Sequence, residues 1–285
     1  MSPRKVVITG ITGYVGSFLE DSFRNTNDNL VWGITRQHNL GPRYHGIDLL
    51  NKEAVEVFMD SVKPDVIFHL ATNSSGRASM DDAFENIQAT HNITRAMPDD
   101  CKLVFASSSM VYTSSYGLRH ESDFPLPDSF YGVGKAACEQ LVLAAGGTIA
   151  RLVGVVGPFM THGVLLHIIN KLQSKEEVVK LKNKYPGSHL QFIHITDVVR
   201  ALRFLGDNQT AYNLYNVATC NLPISLHEIT VMAKDILGIE KDVVWEDDEP
   251  LRSCKIANDA LLAEFKLEYH SSELAIRKAV ESYVR

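Results

Sequence analysis

Between residues 5 and 156 an unbroken run of apolar, mostly β-branched residues gives way, again and again, to a longer stretch with helical periodicity. The runs are KVVITG, LVWGIT, DVIFHLA, KLVFASS and TIARLVGVV, and the helical patterns between them cover residues 14–24, 52–62, 81–97 and 131–145. A strand that is apolar on both faces must be covered on both faces, and a parallel pair needs a crossover of about a dozen residues, which a helix supplies. The pattern predicts a doubly wound α/β fold: a parallel Rossmann sheet with helices on each side. Beyond Pro158 the rhythm loosens into a helix over 164–174, a strand LQFIHI, a helix from Asp197, a strand YNLYNVA, and helices over 225–237 and 271–284. These predict a small mixed C-terminal lobe. Residues 1–157, with 190–218 returning to them, are expected to form the main α/β domain, and 158–189 with 219–285 the lobe.

A chain of 285 residues can bury such a core without crosslinks. Its four cysteines, Cys101, Cys138, Cys220 and Cys254, stand far apart with no C-x-x-C pair, so they read as reduced thiols of a cytoplasmic protein rather than a zinc or disulfide framework. No apolar run approaches the roughly 18 residues of a membrane span, and the N-terminus lacks a signal-peptide core. A net charge of −6 argues against a surface built for nucleic acid. His162, His167, His189 and His194 have no spacing that suggests a metal site, and EDDEP at 246–250 reads as a solvated acidic loop.

The first strand runs into ITGITGYVG, with Gly10, Gly13 and Gly16 at three-residue intervals before a helix. Glycine allows the sharp turn, lets backbone N–H groups approach a pyrophosphate, and lets the helix pack close to the strand with its positive end toward the anion. The loop formed by Gly10, Thr12, Gly13, Tyr14, Val15 and Gly16 is therefore a candidate dinucleotide cradle. An NAD-binding fold usually carries an acid at the end of the second strand for the ribose 2′-hydroxyl. Here that place holds Thr35 and Arg36. A guanidinium cannot accept from a hydroxyl but pairs two-pronged with a 2′-phosphate, which favours NADP(H), with NAD(H) the alternative.

YGVGKAACEQL places Tyr131 and Lys135 four apart at the opening of a helix, so both lie on one face. A phenol with its ordinary pKa near ~10 exchanges protons poorly at neutral pH, and the lysine charge and helix N-terminus are both expected to favour tyrosinate. Upstream, KLVFASSSMVY ends a strand in three serines.

Together these features resemble the extended short-chain dehydrogenase/reductases of the NAD-dependent epimerase/dehydratase family, which act on nucleotide sugars. The resemblance covers most of residues 5–218. It rests on T-G-x-x-G-x-x-G at 9–16, GIDLLN, DVIFHLA, Asn86 in ENIQATHN, S-S-x-x-V-Y at 107–112, Tyr131 with Lys135, VVGPF and FIHITDVVRAL. It implies that Ser108, Tyr131 and Lys135 are the catalytic set, with Lys135 also on the nicotinamide ribose. Asp48 and Leu49 would border the adenine, Leu70, Ala71 and Thr72 the diphosphate side, and Asn86 and Ser107 the nicotinamide pocket. Ser108 is the hydroxyl four residues before the V-Y tyrosine, Ser107 is expected to close the strand, and Ser109, Met110 and Arg252 join Ser108 on the substrate side. The family also implies a homodimer in which the helices over 81–97 and 131–145 form a four-helix bundle.

Relatives that dehydrate sugars carry an Asp-Glu pair where this chain has Ser109 and Met110. Those that combine 3,5-epimerisation with reduction carry a cysteine at the place of Met110 and a histidine at the place of Phe159. Without those acid–base groups, C4 chemistry remains: reduction of a 4-keto, 6-deoxy nucleotide sugar by NADPH, or 4-epimerisation. Arg36 favours the reductase, because a reductase exchanges its cofactor at each turnover. Two phosphate contacts of the family are replaced, by Gly154 and Leu190, leaving Arg252, Lys171, Lys182 and Lys184 as candidate cations. A relative used as an NADP-binding regulatory subunit is the non-enzymatic alternative.

Overall fold

The computed structural model describes residues 2–24, 28–37, 40–73, 79–113, 117–182, 186–219, 222–246, 254–266 and 268–284. Its centre is a seven-stranded, wholly parallel sheet of β1 (Arg4–Thr9), β2 (Asn29–Thr35), β3 (Tyr44–Gly46), β4 (Val66–His69), β5 (Lys102–Ser108), β6 (Thr148–Leu152) and β7 (Leu214–Val217). The order is β7-β6-β5-β4-β1-β2-β3. The chain winds outward in both directions from the β1/β4 pair, so the connections leaving those two strands part and open a crevice at their carboxyl ends.

Successive residues of these strands face opposite sides. Val7, Ile67, Leu103, Phe105 and Ile149 face α2 (Lys52–Val62), α3 (Met80–Ala96) and α4 (Phe130–Ala144), meeting Val55, Met59, Ile93 and Val142. Val6, Ile8, Val66, Phe68 and Val104 face α1 (Tyr14–Asp21) and α6 (Ile195–Asp207), meeting Leu19, Val198, Leu202 and Leu205. Each such side chain contributes about 1.5–3 kcal/mol on burial, more than any of the exposed ion pairs. The two-sided apolar runs are thus the main reason the sheet forms.

A further cluster joins α5 (Val164–Leu172), α7 (Leu226–Leu237), α9 (Ser272–Glu281) and the strand Val178–Lys182, through Leu165, Ile169, Val179, Leu181, Ile229 and Ile276. A short α8 (Asp259–Glu264) lies between α7 and α9 in the chain. Two predicted strands are in fact each broken. TIARLVGVV leaves the main sheet after Leu152, and Gly154–Val156 pairs instead with Phe192–His194. Gly154 allows this, since a Cβ there would lie 2.9 Å from the Phe192 ring. LQFIHI likewise divides, with His189–Leu190 pairing antiparallel to Ile224–Ser225. The pairs Val178–Lys182 with Asp242–Glu246, and Gly117–Arg119 with Cys254–Ile256, were not apparent in the sequence, nor were β3 and α8. Each is short and held by contacts distant in sequence. Among the described residues no helix is long and apolar enough to cross a membrane.

Candidate active site

A cleft of about 1630 Å³ runs along the carboxyl edge of the sheet. Small-molecule pockets usually measure ~300–1,000 Å³, so this one has room for a dinucleotide and a second ligand. Every predicted cofactor and catalytic residue lies on its wall, from Gly10 through Thr35, Asp48, Thr72 and Asn86 to Lys135, together with Ser109 and Met110. Arg252 and Lys184 fall outside the described residues. Lys171, half-buried, and Lys182, exposed, pair with Glu176 and Glu246 and do not line the cleft, so they are not its compensating cations.

The glycine turn is a cradle that side chains would fill. Gly10 has φ +68°, and a Cβ there would stand 2.8 Å from the Ala71 backbone; at Gly16 it would stand 2.2 Å from the Gly10 carbonyl oxygen. Gly13 begins α1 without a side-chain cap, leaving the first N–H groups of the helix for an anion. Opposite, residues 71–73 after β4 are held from two sides. Thr9 Oγ1 accepts from Ala71 N–H at 3.1 Å, while Asn86 accepts from Asn73 N–H at 2.7 Å and donates to its carbonyl at 3.1 Å. The Thr72 hydroxyl beside it is buried with no partner, the kind of orphan a ligand's oxygen satisfies. Further along, Thr35 Oγ1 meets Thr12 Oγ1 at 2.9 Å and accepts from Gln37 N–H at 3.2 Å, shaping the turn that presents the exposed Arg36 to the cleft. The cradle, the orphan hydroxyl and the arginine fit a dinucleotide.

The part of the cleft that holds Ser108, Tyr131 and Lys135 is built by β5 and α4. The Ser129 hydroxyl accepts from Gly132 N–H and starts α4 in register, with Tyr131 and Lys135 toward the cleft. Gly132 lets the helix approach, since a Cβ there would lie 2.3 Å from the Met110 carbonyl oxygen. Ser108 is the last residue of β5, and its Oγ accepts from Met110 N–H at 3.1 Å as the chain turns into a single 3-10 turn over Ser109–Val111. That turn, rather than a continued strand, puts Ser109 on the cleft wall. Ser107 does not close the strand: its side chain faces α4 and donates to Glu139 at 2.6 Å. The Ser108 hydroxyl lies close enough to the Tyr131 phenol to oppose the effect of burial on it.

The expected tyrosinate is corrected by the structure. Burial pushes the Tyr131 phenol up to about 12, outweighing the opposing effect of Ser108. Lys135 is buried, donates to the Ala106 carbonyl at 2.8 Å and sits 4.6 Å from the Phe105 ring centre, against 5.9 Å from that of Tyr131. Its own affinity for protons is lowered to about 8 by burial, with Cys138 and Glu139 opposing. At neutral pH the pair is thus a neutral phenol beside an ammonium.

Beyond Ser108 the cleft is walled by Met110, Met160, Val164, Leu190, Phe192 and Ile256, with His162 and His189 among them. The sequence marked both histidines only as outside any metal spacing, and among the described residues no metal-binding cluster occurs. Their placement depends on how the α5 and Phe192 segments meet, which leaves no local signal.

Comparison with known proteins places these features in a group. The model of the NAD-dependent epimerase/dehydratase family matches residues 6–218. GDP-6-deoxy-D-talose 4-dehydrogenase of Aggregatibacter actinomycetemcomitans is 24% identical over 262 residues, 84% of this chain and 86% of that protein. Methionine adenosyltransferase 2 subunit beta of Rattus norvegicus is 26% identical over 219 residues, 72% of this chain but 63% of the rat protein, less than two thirds of its length. Among solved structures, dTDP-glucose 4,6-dehydratase of Bacillus anthracis, in complex with NAD, shares the fold at a TM-score of 0.85 and 20% identity, with 98% of this chain and 96% of that one covered.

Proposed function

The chain belongs to the NAD-dependent epimerase/dehydratase family, and from that premise we propose that it reduces the 4-keto group of a nucleotide-linked, 6-deoxy sugar with NADPH. The observation that carries this reading is the meeting of Ser108, Tyr131 and Lys135 on one cleft wall beside the non-titratable Met110, where burial favours the neutral phenol. When bound, the dihydronicotinamide supplies a hydride to C4. Tyr131 gives its proton to the oxygen developing negative charge on that carbon, and Ser108 donates a hydrogen bond to the same oxygen. The ammonium of Lys135 stabilises the tyrosinate left behind, which solvent reprotonates. Neither Ser109 nor Met110 can remove a second proton, so elimination of water has no base there. Arg36 would take the 2′-phosphate of NADP(H), and the Gly10–Gly16 turn would take the diphosphate.

Two copies of the chain are proposed to join through the outer faces of α3 and α4. These helices pack closely, a Cβ on Gly134 lying 3.0 Å from that of Ala83, and leave Phe84, Phe130 and Val133 exposed. A four-helix bundle would cover them.

The test is NADPH oxidation followed at steady state with GDP-, dTDP- and UDP-linked 4-keto-6-deoxy sugars. Turnover with at least one is expected. Inversion of a UDP-hexose at C4 without net NADPH oxidation would identify a 4-epimerase instead. The similarity to an adenosyltransferase subunit supports a second reading, a cofactor-binding subunit of another enzyme. NADPH binding that Tyr131→Phe leaves intact, with no turnover by either form on any of these sugars, favours that reading.

A further inference from the structure

A chain of buried polar groups runs beneath the reactive residues, and no role given above uses it. Glu139 and Arg151 are 0% and 2% exposed. Arg151 donates to both carboxylate oxygens, Nε to Oε1 at 2.9 Å and Nη2 to Oε2 at 2.7 Å. Its Nη1 donates to the Tyr112 hydroxyl at 2.7 Å, which in turn donates to Asn216 Oδ1 at 2.9 Å. Ser107 completes the carboxylate's shell. One turn earlier on α4, Lys135 donates to the Ala106 carbonyl. The two β5 residues that precede Ser108 are thus each tied to α4, Ala106 by the lysine and Ser107 by the glutamate.

Such a pair is costly to desolvate and is often replaceable by apolar side chains without loss of stability, so stability alone does not account for it. What it does hold is a distance. We propose that Glu139 and Arg151 are positioning residues: together they fix the end of β5, which carries Ser108, against the turn of α4 that carries Tyr131 and Lys135. The inference rests on the reading above for the identity of the reactive set, not for the direction or substrate of the reaction. Arg151, anchored on β6 and through Tyr112 to Asn216 on β7, sets the carboxylate's orientation, and the carboxylate sets the strand end. Glu139 also acts on Lys135 through charge. The titratable groups around that lysine are Tyr131, Cys138 and Glu139 on α4 and His69 at the end of β4, and burial keeps His69 neutral, near 3. Of the groups that raise the lysine's proton affinity, Glu139 is the carboxylate.

The test uses the full chain carrying Glu139→Gln, Arg151→Met and the double change Glu139→Leu/Arg151→Met. The single variants are expected to melt lower, and the double to regain a Tm close to that of the unmodified protein. The double should still show kcat about 10–100-fold lower, with KM for NADPH and sugar changed less than about threefold, as misplacement of reacting groups predicts. In Glu139→Gln the Lys135 titration midpoint, followed by ¹³Cε NMR and assigned with Lys135→Arg, should fall by about one pH unit. A double variant with unmodified kcat, or a loss of kcat that merely follows the unfolded fraction, overturns the proposal, as does an unmoved midpoint. If the double variant does not fold, Ser107→Ala removes only the hydroxyl on Glu139. It should lower kcat about fivefold with little change in Tm, and an unchanged kcat overturns the proposal equally. A protein inactive on every sugar tried refutes the reductase reading, whereas the Lys135 midpoint still decides this one.

Discussion

On the glycine-turn side of the cleft the wall is backbone and side chains already bonded within the protein: Gly10 against Ala71, Thr12 against Thr35, Asn86 against Asn73. Beyond Ser108 the wall is mostly apolar, lined by Met110 and by Met160, Leu190 and Phe192, the last three held by packing. Hydrogen bonds and close backbone contacts have one satisfactory geometry, whereas apolar surfaces of similar volume repack at small cost. The first side is therefore expected to tolerate almost no change. The second should let the accepted substrate vary while the chemistry stays the same.

The largest effect that would sharpen this contrast is expected from Tyr131→Phe, at the boundary of the two sides. Loss of the proton donor should lower kcat by about 10³-fold, and calorimetry should find NADPH affinity within about threefold. Next, Gly16→Ala puts a methyl where the Gly10 carbonyl stands, so it should weaken NADPH binding by about 100-fold or more and lower Tm by several degrees. Tight binding by that variant would break the account of the cradle. Arg36→Ala should raise KM for NADPH by about 10–100-fold while leaving that for NADH nearly unchanged, since only a 2′-phosphate uses a charge-assisted bond there.

A pH profile tests the buried lysine. Burial lowers Lys135 to about 8, so reductive kcat/KM should fall about tenfold per unit above that pH, and a profile flat to pH 10 would exclude an essential ammonium. The stability effect has the opposite sense. Between about 8 and the ordinary lysine value of 10.5 the unfolded chain binds more protons, so this residue's cost to folding shrinks as pH rises. The smallest effect belongs to the apolar side: Met110→Leu should change kcat by less than about threefold, because its side chain offers volume and no proton. A large loss there would mean the apolar wall is as exacting as the glycine turn.

Much of the site was legible in the sequence because its signals are local. The spacing of Gly10, Gly13 and Gly16 follows from one turn, and the spacing of Tyr131 and Lys135 from one helical repeat. The strand alternation of Val6, Val7 and Ile8 likewise follows from the pleat, and these short-range rules bring the predicted set onto one cleft. The state of the residues was not legible. Tyr131 was expected to be acidified by its lysine, but the helix is sunk far enough for burial to reverse the sign. Ser107 and Ser108 look alike in KLVFASS, and only the pleat and the position of α4 send one to Glu139 and leave the other with the phenol.

The sequence by itself determined the alternation of strands and helices, the glycine turn and the shared face of Tyr131 and Lys135, since each depends on residues within about a turn or a strand of one another. Only the tertiary structure decided where the strands after Leu152 would pair and that His162 and His189 face the cleft. It also decided that Glu139, Arg151, Tyr112 and Asn216 would meet beneath the reactive residues. These depend on contacts between elements tens of residues apart, and on desolvation, which no local pattern of side chains encodes.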